Sequence, residues 1–355
     1  MIIYVDGFGH YGTDETLLLQ ERKIADANEC TVIATNPRTG TYHLRVDARQ
    51  NDSGPRILLG GDRDTVGVGY AFYIPALPTE ADDFALVQFK DASNNNLSTI
   101  TVDTAGQIQY RLGAKDGTVL GTSDGQVITT ESYQHFEVEM FADQSAGTVE
   151  VRIDGVVVLN LAGLDNIPST YGAPAQVRLG CDGNAKTGAP VYVDIDDLFI
   201  RDDTGTANND FIGDKKAYLG FALQDEAEQD WTPNTGGDAF EMLDQVPPDD
   251  DNFFLTAVGG QSENERTTVG VFAFDSAIVE IAAVYSHTRL WKTDAGGASV
   301  LVGMISDATE VQGSTHTVAT GVQWFNDFWE VDPDTASAWT LAAVNAATVS
   351  LERTE

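Results

Sequence analysis

The sequence predicts an all-β protein, an antiparallel β-sandwich followed by a smaller second β domain. Three observations carry that expectation. The first is the run Thr148-Val-Glu-Val-Arg-Ile-Asp-Gly-Val-Val-Val-Leu-Asn-Leu161. Asp154-Gly155 stands between two β-branched runs, and a type I′ hairpin turn needs φ > 0 at both central positions, which this dipeptide accepts. Val149, Val151 and Ile153 share one face and are expected buried; Glu150 and Arg152 share the other and are expected exposed. The second observation is a series of short period-two runs at hairpin spacing. The third is the faintness of any helical period.

The elements follow in chain order. Thr13–Lys23 reads as a short helix capped by Thr13 or Asp14. Tyr42–Ala48 alternates. Val66–Ile74 is a buried-type strand in which Gly67 and Gly69 let a neighbour approach closely. Phe84–Lys90, Ser98–Val102 and Gln107–Leu112 come next, with turns at Gly106 and Gly117. Phe136–Met140 alternates apolar and acidic, and Val177–Cys181 and Val191–Ile200 close the series. In the last of these the inward parity switches between Ile195 and Leu198, which predicts a β-bulge near Asp196-Asp197. A polar loop over residues 201–214 then marks a boundary, with the sandwich at 1–213 and a β-rich docking or assembly domain at 214–355. All five Trp (231, 291, 324, 329, 339) lie beyond it. Strands are expected at Thr268–Phe274, Ile278–His287, Val300–Ile305, Thr315–Thr320 and Thr348–Arg353, and a short helix at Trp339–Asn345 capped by Ser337. There is no fixed-period repeat.

The 355 residues suffice for two domains and an ample core. Fifty-five Asp+Glu against 20 Lys+Arg give a formal charge of −35, and no run of five basic residues occurs. Nucleic acid and anionic membranes require clustered Lys/Arg, so neither is expected as a partner. Solvation and self-repulsion explain the acidity, and only seven basic residues being Lys fits a saline setting. Met1–His10 lacks the basic and apolar regions of a signal peptide, so synthesis in the cytoplasm without a leader is expected. No segment approaches the ~20 apolar residues of a membrane span. Cys30 and Cys181 match no metal spacing and are expected as two buried thiols.

The hairpin Gly147–Gly155 and the Asp196-Asp197 strand resemble the concanavalin-A/laminin-G-like lectin sandwich. Further motifs resemble a family of tailed-phage and prophage virion structural proteins. They are Asp6-Gly-Phe-Gly-His-Tyr11, Arg38-Thr-Gly-Thr-Tyr42, Val119-Leu-Gly-Thr-Ser123, Asn208-Asn-Asp-Phe-Ile-Gly-Asp214 and Asp332-Pro-Asp-Thr335 leading to Trp339-Thr340. Each is weak alone; their order is moderately specific and spans most of the chain. Tyr133-Gln134-His135 departs from the pattern, since similar sequences often place Trp before the His-x-Glu strand. The resemblance implies a bacteriophage virion component, tail-associated or fibre-like, with a capsid decoration protein and a stand-alone carbohydrate-binding lectin as alternatives. It implies other virion proteins, copies of the chain and host-surface glycan as partners, and the virion as location. It supplies no catalytic residue.

Glu137/Glu139, Asp194/Asp196 and Glu330/Asp332/Asp334 have same-face spacing suited to a glycosidase carboxylate pair. Neither a Glu-x-Asp-x-x-Glu nor an Arg-x-Glu-x-Arg pattern occurs, and Glu137 and Glu139 read as the solvent side of a strand. The expectation is a chain that works by surfaces, without bond-making. The histidines at 10, 43, 135, 287 and 316 show no zinc spacing, and His43 and His135 read as exposed. Calcium is the candidate ion, held by Asp202, Asp203, Asp210 and Asp214, with Asp249–Asn252 as a second acidic loop. Trp324, Asn326, Asp327 and Trp329 combine rings with polar groups and are candidates for glycan or interface contact. The Trp-bearing domain is the expected site of docking or homo-oligomerisation.

Overall fold

The computed structural model describes residues 1–21, 23–47, 53–79, 84–180, 192–234, 236–243, 246, 248, 254–255, 266–293 and 295–354. It separates into two compact units, Met1–Leu19 with Lys23–Ala217, and Gln20–Arg22 with Tyr218–Glu355. Cys181, Val191 and the acidic loop Asp249–Asn252 lie outside the described residues.

The first unit is an antiparallel β-sandwich. Its strands are β1 (Ile2–Asp6), β2 (Ile24–Asn28), β3 (Cys30–Ile33), β4 (His43–Asp47), β5 (Gly54–Leu58), β6 (Thr65–Tyr73), β7 (Phe84–Lys90), β8 (Asn96–Val102), β9 (Ile108–Leu112), β10 (Thr118–Thr122), β11 (Tyr133–Phe141), β12 (Gly147–Ile153), β13 (Val156–Leu164), β14 (Gln176–Leu179) and β15 (Tyr192–Arg201). One sheet has eight strands in the order β13-β12-β11-β6-β15-β4-β3, with β1 added beside β15; the other runs β10-β9-β8-β7-β14-β5-β2. Their facing sides share one hydrophobic core that includes Val68, Tyr70, Phe72, Phe89, Ile100, Phe136, Val177 and Ile195. The Tyr70 hydroxyl crosses that core to the carbonyl of Leu86, at 2.9 Å.

The hairpin has the expected parity. Val149, Val151 and Ile153 are 0–4% exposed, while Glu150 and Arg152 are half-exposed. Each buried branched side chain is worth about 1.5–3 kcal/mol. Asp154 and Gly155 have φ of 51° and 77°, as the turn demands. The bulge in β15 is also present. Its register against β6 shifts between Asp196 and Phe199, and Asp197 has φ 55°. Gly67 and Gly69 serve close approach. A Cβ on Gly69 would meet the Phe199 ring at 2.0 Å, and one on Gly67 would meet Arg201 at 2.7 Å. In place of one α-helix over Thr13–Lys23 there is one 3-10 turn just before that span, Gly9–Tyr11, and a second within it, Glu15–Gln20. Asp14 does cap the second, its carboxylate accepting from the Thr16 amide at 3.0 Å.

In the second unit β16 (Gln224–Gln229), β19 (Arg266–Gly270), β21 (Ser299–Ser306), β22 (Thr309–Thr317) and β24 (Thr348–Arg353) form a five-stranded sheet ordered β16-β19-β24-β21-β22. Two pairs stand apart from it, β17 (Thr232–Pro233) with β18 (Phe254–Leu255) and β20 (Val284–Leu290) with β23 (Gln323–Trp329). The helix α1 (Leu341–Ala346) is capped by Thr340 rather than Ser337, with the Ala343 amide donating to Thr340 Oγ1 at 3.1 Å.

Four of the five tryptophans are buried, and Trp291 is half-buried. Trp231, Trp329 and Trp339 pack with Val302, Met304 and Leu351 in one core, and Trp324 is 5% exposed. Trp339 Nε1 donates to the Trp329 carbonyl at 2.8 Å, and Trp329 Nε1 to that of Val311 at 3.0 Å. A small unit has few residues per core, and large rings supply the buried area that makes it cohere.

Candidate functional site

Side chains of adjacent strands in register stand side by side on one face of a sheet. On the outer face of the eight-stranded sheet this rule brings together Tyr133 of β11, Tyr73 of β6, Asp194 of β15 and Arg45 of β4, each the cross-strand partner of the next. Tyr192 lies two residues before Asp194 and shares its face. Arg45 Nε and Nη2 donate to the two oxygens of Asp194 at 2.7 and 2.8 Å. Its guanidinium carbon lies 3.6 Å from the centre of the Tyr192 ring. The Tyr73 and Tyr133 rings are 5.7 Å apart. Beneath them His43 is fully buried, with Nε2 3.3 Å from Asp194 Oδ2 and its ring edge-on to Tyr133.

The three tyrosines are half-buried, and the Arg45 side chain is 31% exposed. They form an aromatic patch with one cation over a buried carboxylate–imidazole pair. Burial and the neighbouring carboxylates Asp194, Asp196 and Asp197 push the Tyr133 phenol well up; burial also raises Tyr73. The hydrogen bond to Asp194 holds Arg45 charged. Both phenols therefore stay protonated at neutral pH, able to donate and accept hydrogen bonds.

Beyond the patch the same face is covered by the chain's own residues 211–217. The amides of Ile212 and Gly213 donate to the two oxygens of Glu137 at 2.9 and 3.0 Å, and that of Ala217 to Asp197 at 2.8 Å. Arg38 bridges Asp197 and Asp214. Phe211 lies under the Arg152 guanidinium, 3.7 Å from it. This cover corrects two readings. Glu137 and His135 have the outward parity expected, yet they are only 1% and 2% exposed, because a peptide segment lies where water was assumed. His43 is buried in the same way by its neighbours. Burial raises Glu137, and with the charge of Asp197 raises Asp196 to about 7.

His135 stacks on Phe199, and neither ring nitrogen has a hydrogen-bond partner among the described residues. Burial lowers it to about 4. The folded state thus holds it neutral, while an unfolded chain takes up a proton below about pH 6.5. Its contribution to stability is full above that value and is lost as pH falls toward 4. His135→Phe keeps a ring without the titration, and is expected to stabilise the protein by about 2 kcal/mol more at pH 5 than at pH 8. Denaturant midpoints at the two pH values measure this; equal shifts at both would show that the imidazole is not held neutral.

The carboxylates expected at a calcium site are not brought together. Asp202 is buried against Arg63 and the N-terminal amine and accepts from Thr204. Asp203 accepts from the Thr65 hydroxyl, Asp210 from the Phe211 amide, and Asp214 pairs with Arg38. Among the described residues no group of three His, Cys, Asp or Glu is placed to hold a metal ion. In the second unit, Trp324 and Trp329 are buried, Asp327 is taken up by His316 at 2.6 Å and the Ser314 amide at 2.7 Å, and Asn326 bonds His287. They sit on β23, the partner of β20 in a two-stranded antiparallel pair, and the two tryptophans are buried.

The paired carboxylates are likewise engaged. Asp196 accepts the amides of Arg38, Thr39 and Asp197, and Glu139 pairs with Arg201 at 2.7 Å. Asp332 closes a turn by accepting from the Asp334 amide. The tyrosine patch was missed. Its signal was present as Tyr42-His43-Leu44-Arg45, Tyr133-Gln134-His135 and Tyr192-Val193-Asp194, aromatic and titratable residues at period two on three strands.

No family model matches this sequence, and no curated protein matches it. Similar solved structures exist. One is a cellulose-induced protein, Cip1, at 14% identity and TM-score 0.41, covering 56% of this chain and 96% of that one. A second is an endo-β-1,4-glucuronan lyase from the fungus Trichoderma reesei, at 11% identity and TM-score 0.41, covering 56% and 95%. A third is the alginate lyase Aly36B, at 15% and 0.39, covering 56% and 96%. A Trypanosoma rangeli sialidase matches 50% of this chain over 29% of its own, at 15% identity and TM-score 0.33. These findings correct the expectation of a chain that works without bond-making: two lyases and a sialidase stand among the similar structures.

Proposed function

We propose that this chain is a glycan-contacting component of a tailed-phage particle, and that Tyr73, Tyr133, Tyr192 and Arg45 make the contact. The observation that carries the glycan part is the patch itself. Sugar C–H faces stack on aromatic rings, while phenol hydroxyls and a guanidinium meet the sugar hydroxyls. The placement on a particle rests on the ordered short motifs from Asp6-Gly-Phe-Gly-His-Tyr11 to Asp332-Pro-Asp-Thr335. Other virion proteins and further copies of the chain are the partners this reading implies.

Two experiments test it. On a glycan array the protein is expected to retain a defined set of sugars, and Tyr133→Ala and Tyr192→Ala are each expected to weaken binding roughly tenfold or more. Bound glycans are then sized by chromatography, since His43 and Asp194 lie just below the patch. Unaltered binding in both variants would remove the patch from the function. Mass spectrometry of purified particles is expected to find the chain at stoichiometric amounts; its absence would refute the placement.

A further inference from the structure

We infer that the tyrosine patch takes neutral sugars and excludes acidic ones, an inference that rests on the glycan-contact reading above. It starts from what Arg45 can offer. A guanidinium grips a carboxylate through a two-nitrogen edge, and the Nε/Nη2 edge of Arg45 is already closed on both oxygens of Asp194. Its flat face lies on Tyr192. A sugar carboxylate seeking that edge would have to displace Asp194, a group 3% exposed and braced from behind by His43. Among the described residues Arg45 is the one cation of the patch, and although its Nη1/Nη2 edge remains, its charge is already matched by Asp194 within the fold.

The rim adds repulsion. Glu131 is exposed two residues before Tyr133 and lies near enough to Tyr73 to act on its phenol. The whole chain carries −35, a field that salt screens beyond about 10 Å at 0.1 M. Against this stand three tyrosines, which offer stacking and hydroxyl-to-hydroxyl bonds that a neutral sugar can meet in full. Uncharged hexose polymers satisfy these conditions; uronates, sialylated chains and sulfated chains do not.

The test compares a soluble neutral glucan with the same glucan after oxidation of its C6 hydroxyls to carboxylates. Titration calorimetry on the full chain at low ionic strength is expected to show the neutral polymer bound at least about tenfold more tightly, with the gap narrowing as salt is added. Glu131→Lys combined with Ser132→Lys places two cations at exposed positions beside Tyr133 and is expected to bring the oxidised polymer to parity. Asp194→Asn, which loosens the Arg45 fork, is expected to act in the same direction. Tighter binding of the oxidised polymer by the unmodified protein, or an unchanged preference in both variants, would overturn the inference while leaving glycan contact intact. Binding of neither polymer, nor of any sugar on the array, would overturn the glycan-contact reading and this inference with it.

Discussion

Replacing Asp6 with alanine is expected to cost about 3–6 kcal/mol, a large share of the ~5–15 kcal/mol that holds a domain folded. Asp6 is fully buried and gathers three donors, the hydroxyls of Tyr4 and Tyr11 at 2.8 Å each and the amide of Phe8 at 2.7 Å. Truncation removes that acceptor from all three donors, at about 1–3 kcal/mol for each left unsatisfied. Asp6→Asn retains an acceptor and should fall between. It also carries a pH signature. Burial raises Asp6 from 3.8 to about 6, so the folded state favours the neutral carboxyl. Its stabilising contribution is full below the unfolded value and is lost as pH rises through 6. The destabilisation caused by Asp6→Asn should therefore shrink by roughly 2 kcal/mol between about pH 4.5 and 7. Urea midpoints across that range give the answer, and a pH-independent difference would show that the carboxyl is not held neutral.

The second large effect is expected at Gly54, at the start of β5. Its φ is +95°, and a Cβ there would stand 1.8 Å from the carbonyl oxygen of Leu179 on β14. Backbone, unlike a side-chain tip, has nowhere to rotate. Gly54→Ala combines dihedral strain of about 1–3 kcal/mol with overpacking of similar size. Gly40 provides the contrast. Its φ is +65° with nothing within 4 Å of the added carbon, so Gly40→Ala should cost only about 1 kcal/mol. Thermal midpoints of the two variants compare them directly. Similar losses would mean that β5 and β14 can separate freely.

The motif residues gain a physical reading from these contacts. In Asp6-Gly-Phe-Gly-His-Tyr11 the carboxylate at one end anchors the tyrosine at the other, and Phe8 adopts φ 55° between them. In Asn208–Asp214 the amides of Ile212 and Gly213 seal Glu137, and Asp214 reaches Arg38 of the Arg38–Tyr42 motif. Segments far apart in sequence thus close on one another over the outer face of the larger sheet.

What the sequence determined by itself is the local geometry. Period-two runs fixed which side of β11, β12 and β15 faces the core, Asp154-Gly155 fixed a hairpin, and a parity switch located the bulge at Asp197. These are legible because each depends on residues adjacent in the chain. Tertiary structure alone decided what lies over the outer faces. Glu137, His43 and His135 have polar-side parity, which sequence equates with water, yet the cover of residues 211–217 and the packing of Tyr133 remove water from them. The Asp residues of the 202–214 loop read as one ligand set because they are close in sequence, but their side chains diverge to Arg63, Thr65 and Arg38. Trp324 and Trp329 fit either a platform or a core strand by sequence, and the structure buries both. Tyr73, Tyr133, Tyr192 and Arg45 are scattered over 148 positions, from 45 to 192 plus both ends. Only strand register, a non-local pairing that no single segment encodes, sets them side by side.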